Sequence, residues 1–457
     1  MKTSKKTYPD KEKDQFNVKS NGENALEKIA IPFQKFVQAE SFSGLLLLFF
    51  TIVALVWANS GLSETYVNLW HSEITLGLGR SLFVKSLHFY INDILMAVFF
   101  FVVGLEIKRE VIAGELSTLR LAALPILAAA GGMLFPAIIY SSFNAGTAGL
   151  SGWGIPTATD IAFALGILSL LGSRISTGLK VFLTALAIAD DMGAVLIIAV
   201  FYTSNLSIAW LLIGLVVFGL LLLANKSGIY SPYVYIILGI ILWIALYNTG
   251  IHPTIAGVLT AIAIPARNKI EGQQMEGRIR NYLAEFASAF RDEKHPLSNP
   301  REQKGIYAIE KASIEAQTPL KRLEDKLHPW VAYFIMPLFA LANAGVVLKG
   351  DLMSSFSSSI TLGVMAGLIF GKPIGITLLS FAAVKLKLAQ LPEGETWRRI
   401  LGISMLGGIG FTMSIFIAGL AFSDNKLIDL AKIGILSASL VAGISGYLML
   451  KNSRPDH

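Results

Sequence analysis

From Ser41 to Leu450 the chain alternates long apolar stretches with short polar breaks. Twelve such stretches can be counted, over 41–58, 86–106, 121–140, 157–171, 179–202, 206–224, 231–247, 251–266, 328–347, 359–384, 400–422 and 427–450. A helix crossing a bilayer needs roughly 20 apolar residues, so most of these read as membrane spans and the shorter ones need help from their flanks. The first 40 residues are polar, with eight Lys and Arg and no apolar core, and read as a cytoplasmic tail rather than a secretory signal. Composition agrees: 54% of residues are hydrophobic and only 15% are charged, against roughly 25% in soluble globular proteins. The mean hydropathy of +0.61 makes lipid the main solvent.

A net charge of +7 would ordinarily raise the question of nucleic acid, but its distribution answers differently. With the N-terminus inside, cytoplasmic segments carry 32 Lys and Arg and outer segments 5, while Lys372 lies within a span. That bias is the positive-inside pattern, so the basic excess reports topology and no nucleic-acid partner is expected. The reading is an all-α integral membrane protein of twelve transmembrane helices with both ends cytoplasmic. It divides into a tail over 1–40, a transmembrane domain over 41–450 and a short tail over 451–457. The connection 267–327 mixes both signs of charge and contains Pro296 and Pro300. It reads as a solvated loop or a regulatory segment, with a short helix around Asn281–Arg291. Zero cysteines exclude a disulfide framework, a thiolate metal site and a cysteine nucleophile.

Ionisable groups at membrane depth cost at least ~2.5 to 3.5 kcal/mol each, which makes each one a functional hypothesis. Asp160 follows Pro156-Thr157-Ala158-Thr159; Asp190 and Asp191 sit midway along 179–202; Lys372 lies in Gly371-Lys372-Pro373. Asp93 is a weaker fifth, near the outer end of its span. Neighbouring helical residues point about 100° apart, so one of the two adjacent carboxylates can face a partner while the other faces a cavity. Asp190 and Lys372 could form an ion pair that only locks two helices. Three acids against one lysine nevertheless leave excess negative charge in a low dielectric, which must bind protons or a cation. Protons and a small hard cation compete for the same oxygens, so exchange can follow from binding alone.

Two segments read as broken helices. The run from Thr157 is only about 15 residues long and is preceded by the uncharged, glycine-rich 144–156. The later segment carries Gly407, Gly408 and Gly410 in Gly407-Gly-Ile-Gly-Phe-Thr412. The glycines could serve close helix packing, or both segments could be unwound near the midplane, where transporters with inverted repeats hold their ions. Segments three to five and ten to twelve have opposite orientation, which permits such a repeat.

Taken together, Thr159-Asp160, Ala189-Asp190-Asp191-Met192-Gly193, Gly371-Lys372-Pro373-Ile374-Gly375 and Gly407 to Phe416 closely resemble NhaA-type Na⁺/H⁺ antiporters. Further matches are Asn92-Asp93, Phe101 to Glu110, Gly250 to Gly257 and Leu327-His328-Pro329-Trp330, so the resemblance runs from about Ser41 to Tyr447. The inverted-repeat fold is part of what the resemblance implies, since this family is itself one of the cases on which that rule rests. It implies an electrogenic antiporter of the bacterial inner membrane that expels Na⁺ or Li⁺ for more than one H⁺, in pH and sodium homeostasis, by alternating access. Asp191 would be the principal ligand and proton carrier, with Asp160 and Thr159 near the transient cation and Asp190 paired with Lys372. Asp160 and Lys372 would also offset the partial charges of half-helix ends. Glu106, Glu110 and Glu324 would respond to pH on the inner side and His252 on the outer, although the first two could equally be ordinary surface charge at a helix end. No cofactor is implied, only the transported ions. The resemblance also suggests a homodimer, with the stretch 59–85 as its contact, parts of which between Tyr66 and Phe83 could form a hairpin.

Rival classes are disfavoured. A channel would not place a fixed lysine in its cation path. A Na⁺-coupled symporter of organic anions would want an intramembrane arginine, and the spans contain none. No nucleotide or hydrolase motif supports an enzyme.

Overall fold

The computed structural model describes residues 40–78, 81–203, 206–268, 317–347 and 352–453, with isolated positions between 277 and 313. The leader 1–39, the end of the C-terminal tail and most of the 267–327 connection, including nearly all of the short helix expected over Asn281–Arg291, lie outside the described residues.

The described residues form a bundle of helices with one two-stranded ribbon. In order come α1 (Glu40–Asn59), α2 (Ser63–His71), β1 (Glu73–Leu78), β2 (Ser81–Ser86), α3 (Leu87–Ala113) and α4 (Leu119–Asn144). A 3₁₀ segment, Ala148–Thr157, precedes α5 (Ile161–Leu170). Then follow α6 (Thr177–Phe201), α7 (Ile208–Lys226), α8 (Pro232–Thr249), α9 (Ile255–Ala263) and α10 (319–343). The last part comprises a short helix Leu352–Phe356, then α11 (Ser359–Lys385), α12 (Trp397–Gly407), α13 (Phe411–Ala421) and α14 (Asn425–Lys451). The strands pair antiparallel with Glu73 opposite Ser86, so a hairpin forms but runs three residues past the expected limit at Phe83, and the start of the expected stretch, from Tyr66 to His71, is helical instead.

Helix starts follow local chemistry. The hydroxyls of Thr118, Ser176 and Thr396 accept N–H groups of the first turns of α4, α6 and α12, satisfying donors that the helix itself leaves without partners. Gly250, at φ 91°, closes α8 in the left-handed conformation that glycine adopts freely.

Eight of these helices are long and apolar enough to cross a membrane, and the two bent pairs bring the number to ten. The expected spans 251–266 and 328–347 fall short of that measure. α9 has only nine helical residues because 251–254 forms a turn. α10 begins with the charged Lys321-Arg322-Leu323-Glu324-Asp325-Lys326. Burial sorts the rest: 67% of the α6 window is buried, against 22% for α7. A helix apolar all round and largely exposed, as α7 is, has lipid as its neighbour.

α4 and α11 form the spine of the site. A Cβ on Gly131 would stand 2.1 Å from the Gly375 carbonyl oxygen, and one on Gly375 would stand 2.1 Å from that of Gly131. Further along, Gly371 faces Pro136 and Gly363 faces Tyr140. One number rises as the other falls, so the two helices run antiparallel at backbone contact. The two bent pairs do the same: Ser414 donates to the Ile155 carbonyl at 2.7 Å, and the Asp160 N–H donates to that of Ile409 at 2.7 Å. These are two of the three antiparallel matches that an inverted repeat of spans three to five and ten to twelve requires.

Candidate functional site

The 3₁₀ segment and α5 meet at a bend of 43°, and α12 and α13 at one of 46°. Residues 158–160 and 408–410 form the two breaks, which lie against each other. At each break backbone groups lose their helical partners, and side chains supply replacements. Asp160 caps α5 by accepting the Phe163 N–H at 3.0 Å on Oδ1. Its Oδ2 accepts the Thr412 N–H at 3.1 Å and also the Thr412 hydroxyl. One carboxylate therefore sits at the positive ends of both α5 and α13, where an anion is favoured.

Thr159 works in the opposite sense. Its hydroxyl donates to the Gly407 carbonyl at 2.8 Å, near the negative end of α12, and accepts from Lys372 Nζ at 2.7 Å. Lys372 also donates to Asp190 Oδ2. It emerges from α11 directly after a wide π turn, Gly367–Gly371, a distortion often found at functional positions.

Thr159, Asp160, Asp190, Asp191 and Lys372 are thus brought together, none more than 3% exposed. Their bonding is unequal. Asp160 has a donor on each oxygen, and Asp190 has Lys372 on one oxygen with the other unpartnered. Asp191 also keeps a buried Oδ1 with no hydrogen-bond partner and, unlike Asp190, has no lysine in contact to offset its charge, which leaves it the least compensated carboxylate of the three. Among the described residues no three His, Asp or Glu side chains converge as a resident metal cluster.

The glycines of the second break are needed for different reasons. A Cβ on Gly408 would lie 2.5 Å from the Leu368 carbonyl oxygen, whereas Gly410 is crowded by Ser414 Oγ at 2.2 Å and Gly407 by Ile376 at 3.0 Å. Small residues here let α11 approach the break.

Glu106, Glu110 and Glu324 form a separate cluster. His328 Nδ1 lies 3.2 Å from Glu106, and Arg109 reaches Glu110 at 3.0 Å and also Glu324. Lys321 stands 3.6 Å from Glu324. Burial pushes the Glu324 carboxyl above its ordinary range, and Arg109 and Lys321 pull the other way without cancelling the shift. His252 belongs elsewhere: its Nε2 is 3.7 Å from Asp93, its Nδ1 is 2.7 Å from the Thr254 hydroxyl and its ring meets Phe416 edge-on at 5.4 Å.

One participant, Thr412, and one buried charge outside the site, Arg399, are not singled out by the sequence. Thr412 lies inside the quoted glycine motif, where nothing in the sequence marks it out from any other small polar residue. Arg399, 1% exposed, lies one residue before the expected span; its Nη1 donates to both oxygens of Glu395 at 3.0 Å and its Nη2 to the Arg174 carbonyl at 2.5 Å.

The family profile described as Na⁺/H⁺ antiporter 1 matches residues 34–450. The chain belongs to that family. It is 51% identical over 426 residues to the Na⁺/H⁺ antiporter NhaA of Oleidesulfovibrio alaskensis, covering 93% of this chain and 95% of the relative. The NhaA of Wolinella succinogenes is 50% identical over 415 residues, covering 91% and 92%. That of Sulfurimonas denitrificans is 48% identical over 432 residues, covering 94% and 97%. In this member of the Na⁺/H⁺ antiporter 1 family the two breaks, the ion pair and the under-compensated aspartate occupy one buried site.

Proposed function

We propose that this protein is an electrogenic Na⁺/H⁺ antiporter, also accepting Li⁺, which expels the cation in exchange for more than one proton and serves pH and sodium homeostasis. Membership of the family and the names of its relatives support the activity. The observation that carries the mechanism is Asp191 Oδ1, buried and unpartnered beside a neutralised Asp190–Lys372 pair.

Asp191 is the ligand and proton carrier. A proton or Na⁺ satisfies its free lone pair, and each excludes the other, so loading one releases the other. Asp160 and Thr159 complete the oxygen environment as the cation enters. Asp190 lets go of Lys372 in one state of the cycle, freeing a second group to take part in proton exchange. Alternating access follows from motion of the bundle that holds the breaks against the remaining helices.

The protein is a multi-pass membrane protein. We place it in the bacterial inner membrane as twelve spans, α9 and α10 included, with both termini cytoplasmic as the charge bias requires. Glu106, Glu110 and Glu324 set the response to inner pH, and His252 the response on the outer side. A homodimer joined through the β1–β2 hairpin is the assembly this reading favours, with lipid as the remaining neighbour. The symporter reading loses ground because Arg399, the buried arginine it would call on, is already spent on Glu395 and Arg174.

The test uses proteoliposomes with a preset ΔpH and a pH-sensitive dye, to which Na⁺, Li⁺ and K⁺ are added from mildly acidic to alkaline pH. Dequenching by Na⁺ and Li⁺ but not K⁺, lost in Asp191→Asn, is the expected result. Silence at every pH from folded protein, or a response that requires an organic solute, overturns it.

A further inference from the structure

Away from the ion site, a cavity of about 940 Å³ opens between the starts of α4 and α6 and the end of α11. Two cations and two anions line it: Arg120 and Lys387, Glu115 and Glu393. None of these four side chains makes an ion pair or hydrogen bond with any described residue. Opposite charges in contact would have paired within 4 Å; these stand apart around an open space. The deeper wall is apolar, with Leu124 and Phe182. Because α4 begins at Leu119, α6 begins at Thr177 and α11 ends at Lys385, the cavity lies where apolar spans give way to polar chain, the level of lipid headgroups.

The cavity is built rather than incidental. Lys387 has φ 59°, the one positive φ of a non-glycine residue among the described residues. It closes α11 in a cap where glycine is the unstrained choice, with the Leu388 N–H donating to the Ala383 carbonyl at 2.9 Å. A strained backbone that carries a charge to a cavity rim points to a use for that charge. The facing loop is held by the buried Glu395–Arg399 pair and by Ser176, which donates to Glu395.

We propose that this cavity binds the headgroup of a phospholipid carrying a primary ammonium, as in phosphatidylethanolamine. Its phosphate lies between Arg120 and Lys387, its ammonium donates to Glu115 and Glu393, and its glycerol and upper acyl carbons cover the apolar wall. Both signs of charge are matched only by such a zwitterion. A purely anionic headgroup meets two carboxylates, and a choline headgroup has no N–H to donate to them.

Native mass spectrometry of the full-length protein, with phosphatidylethanolamine, phosphatidylcholine and phosphatidylglycerol offered at equal concentration, decides it. The ethanolamine lipid should be retained about tenfold more strongly than either other lipid, as expected of charge-assisted hydrogen bonds. Arg120→Ala and Lys387→Gly should each erase most of that preference. Lys387→Gly relieves the backbone strain, so its melting temperature should hold or rise, and lipid lost by it is not lost through unfolding. Equal retention of the three lipids, stronger binding of phosphatidylglycerol, or a preference unchanged in both variants overturns the proposal. The readout is binding, independent of whether the protein exchanges Na⁺ for protons.

Discussion

Thr159 and Gly407 are joined by a hydrogen bond of 2.8 Å from hydroxyl to carbonyl, linking two helix breaks that lie 248 residues apart in the chain. The same hydroxyl receives the Lys372 ammonium, so one small side chain ties both breaks to the ion pair.

Thr159→Val keeps the shape and removes both bonds. It leaves the Gly407 carbonyl without its side-chain donor in a buried site, at a cost of about 1 to 3 kcal/mol. A lower melting temperature together with a raised KM for Na⁺ is expected. Wild-type exchange in this variant would show that the link between the breaks is dispensable.

Asp191→Asn and Lys372→Ala should part company on stability. The first removes a buried and poorly compensated charge, so it should fold at least as well as the wild type and show no exchange. The second strands Asp190, 2% exposed, and breaking one partner of a buried pair costs about 3 to 5 kcal/mol. Thermal unfolding of both proteins in one detergent reads the contrast; equal stability would mean that Asp190 finds another partner.

Gly131→Ala should be among the most damaging single-methyl changes in the chain. Its new Cβ meets the backbone of α11 at 2.1 Å, and backbone cannot step aside as a side-chain tip can. Overpacking of this kind costs about 1 to 3 kcal/mol or more. Gly375→Ala should match it, whereas Gly219→Ala, which meets nothing within 4 Å, should be neutral.

Glu324 gives a pH prediction whose sign is fixed. Its folded-state pKa is raised by burial above the ordinary 4.5, so the folded protein holds this proton more tightly than the unfolded chain. The resulting stability is complete below the unfolded pKa and is lost as pH rises through the folded value. Glu324→Gln should therefore be indistinguishable from wild type at acidic pH and become relatively more stable on the alkaline side. Melting curves at a series of pH values check it, and a parallel pH dependence in the two proteins would remove Glu324 from the list of responsive groups.

Much of the site was legible because charge inside an apolar run is conspicuous: Asp160, Asp190, Asp191 and Lys372 announce themselves. The breaks were legible through Pro156 and the glycines at 407, 408 and 410. Thr412 was not, since a hydroxyl in an apolar run looks like any other small polar residue until its partner is known. Arg399 and Glu395 were hidden for the opposite reason. At the end of a span charges normally face water, and only the packing of the 171–176 linker over them buries the pair. Span counting was least secure at α9, where the residues are apolar but the backbone turns, because hydropathy records solvent and not hydrogen bonding.

Asp160 also has a mechanical meaning. Its two oxygens hold the first turn of one half-helix and the first turn of the other. On the proposed role of Asp160, a cation drawing on those oxygens would take them from the joint itself, so cargo and fastener would compete for the same electrons. In the mechanism proposed above, the passenger would loosen the joint that swings to release it, and a protonated carrier and a loaded one would differ in stiffness as well as in charge.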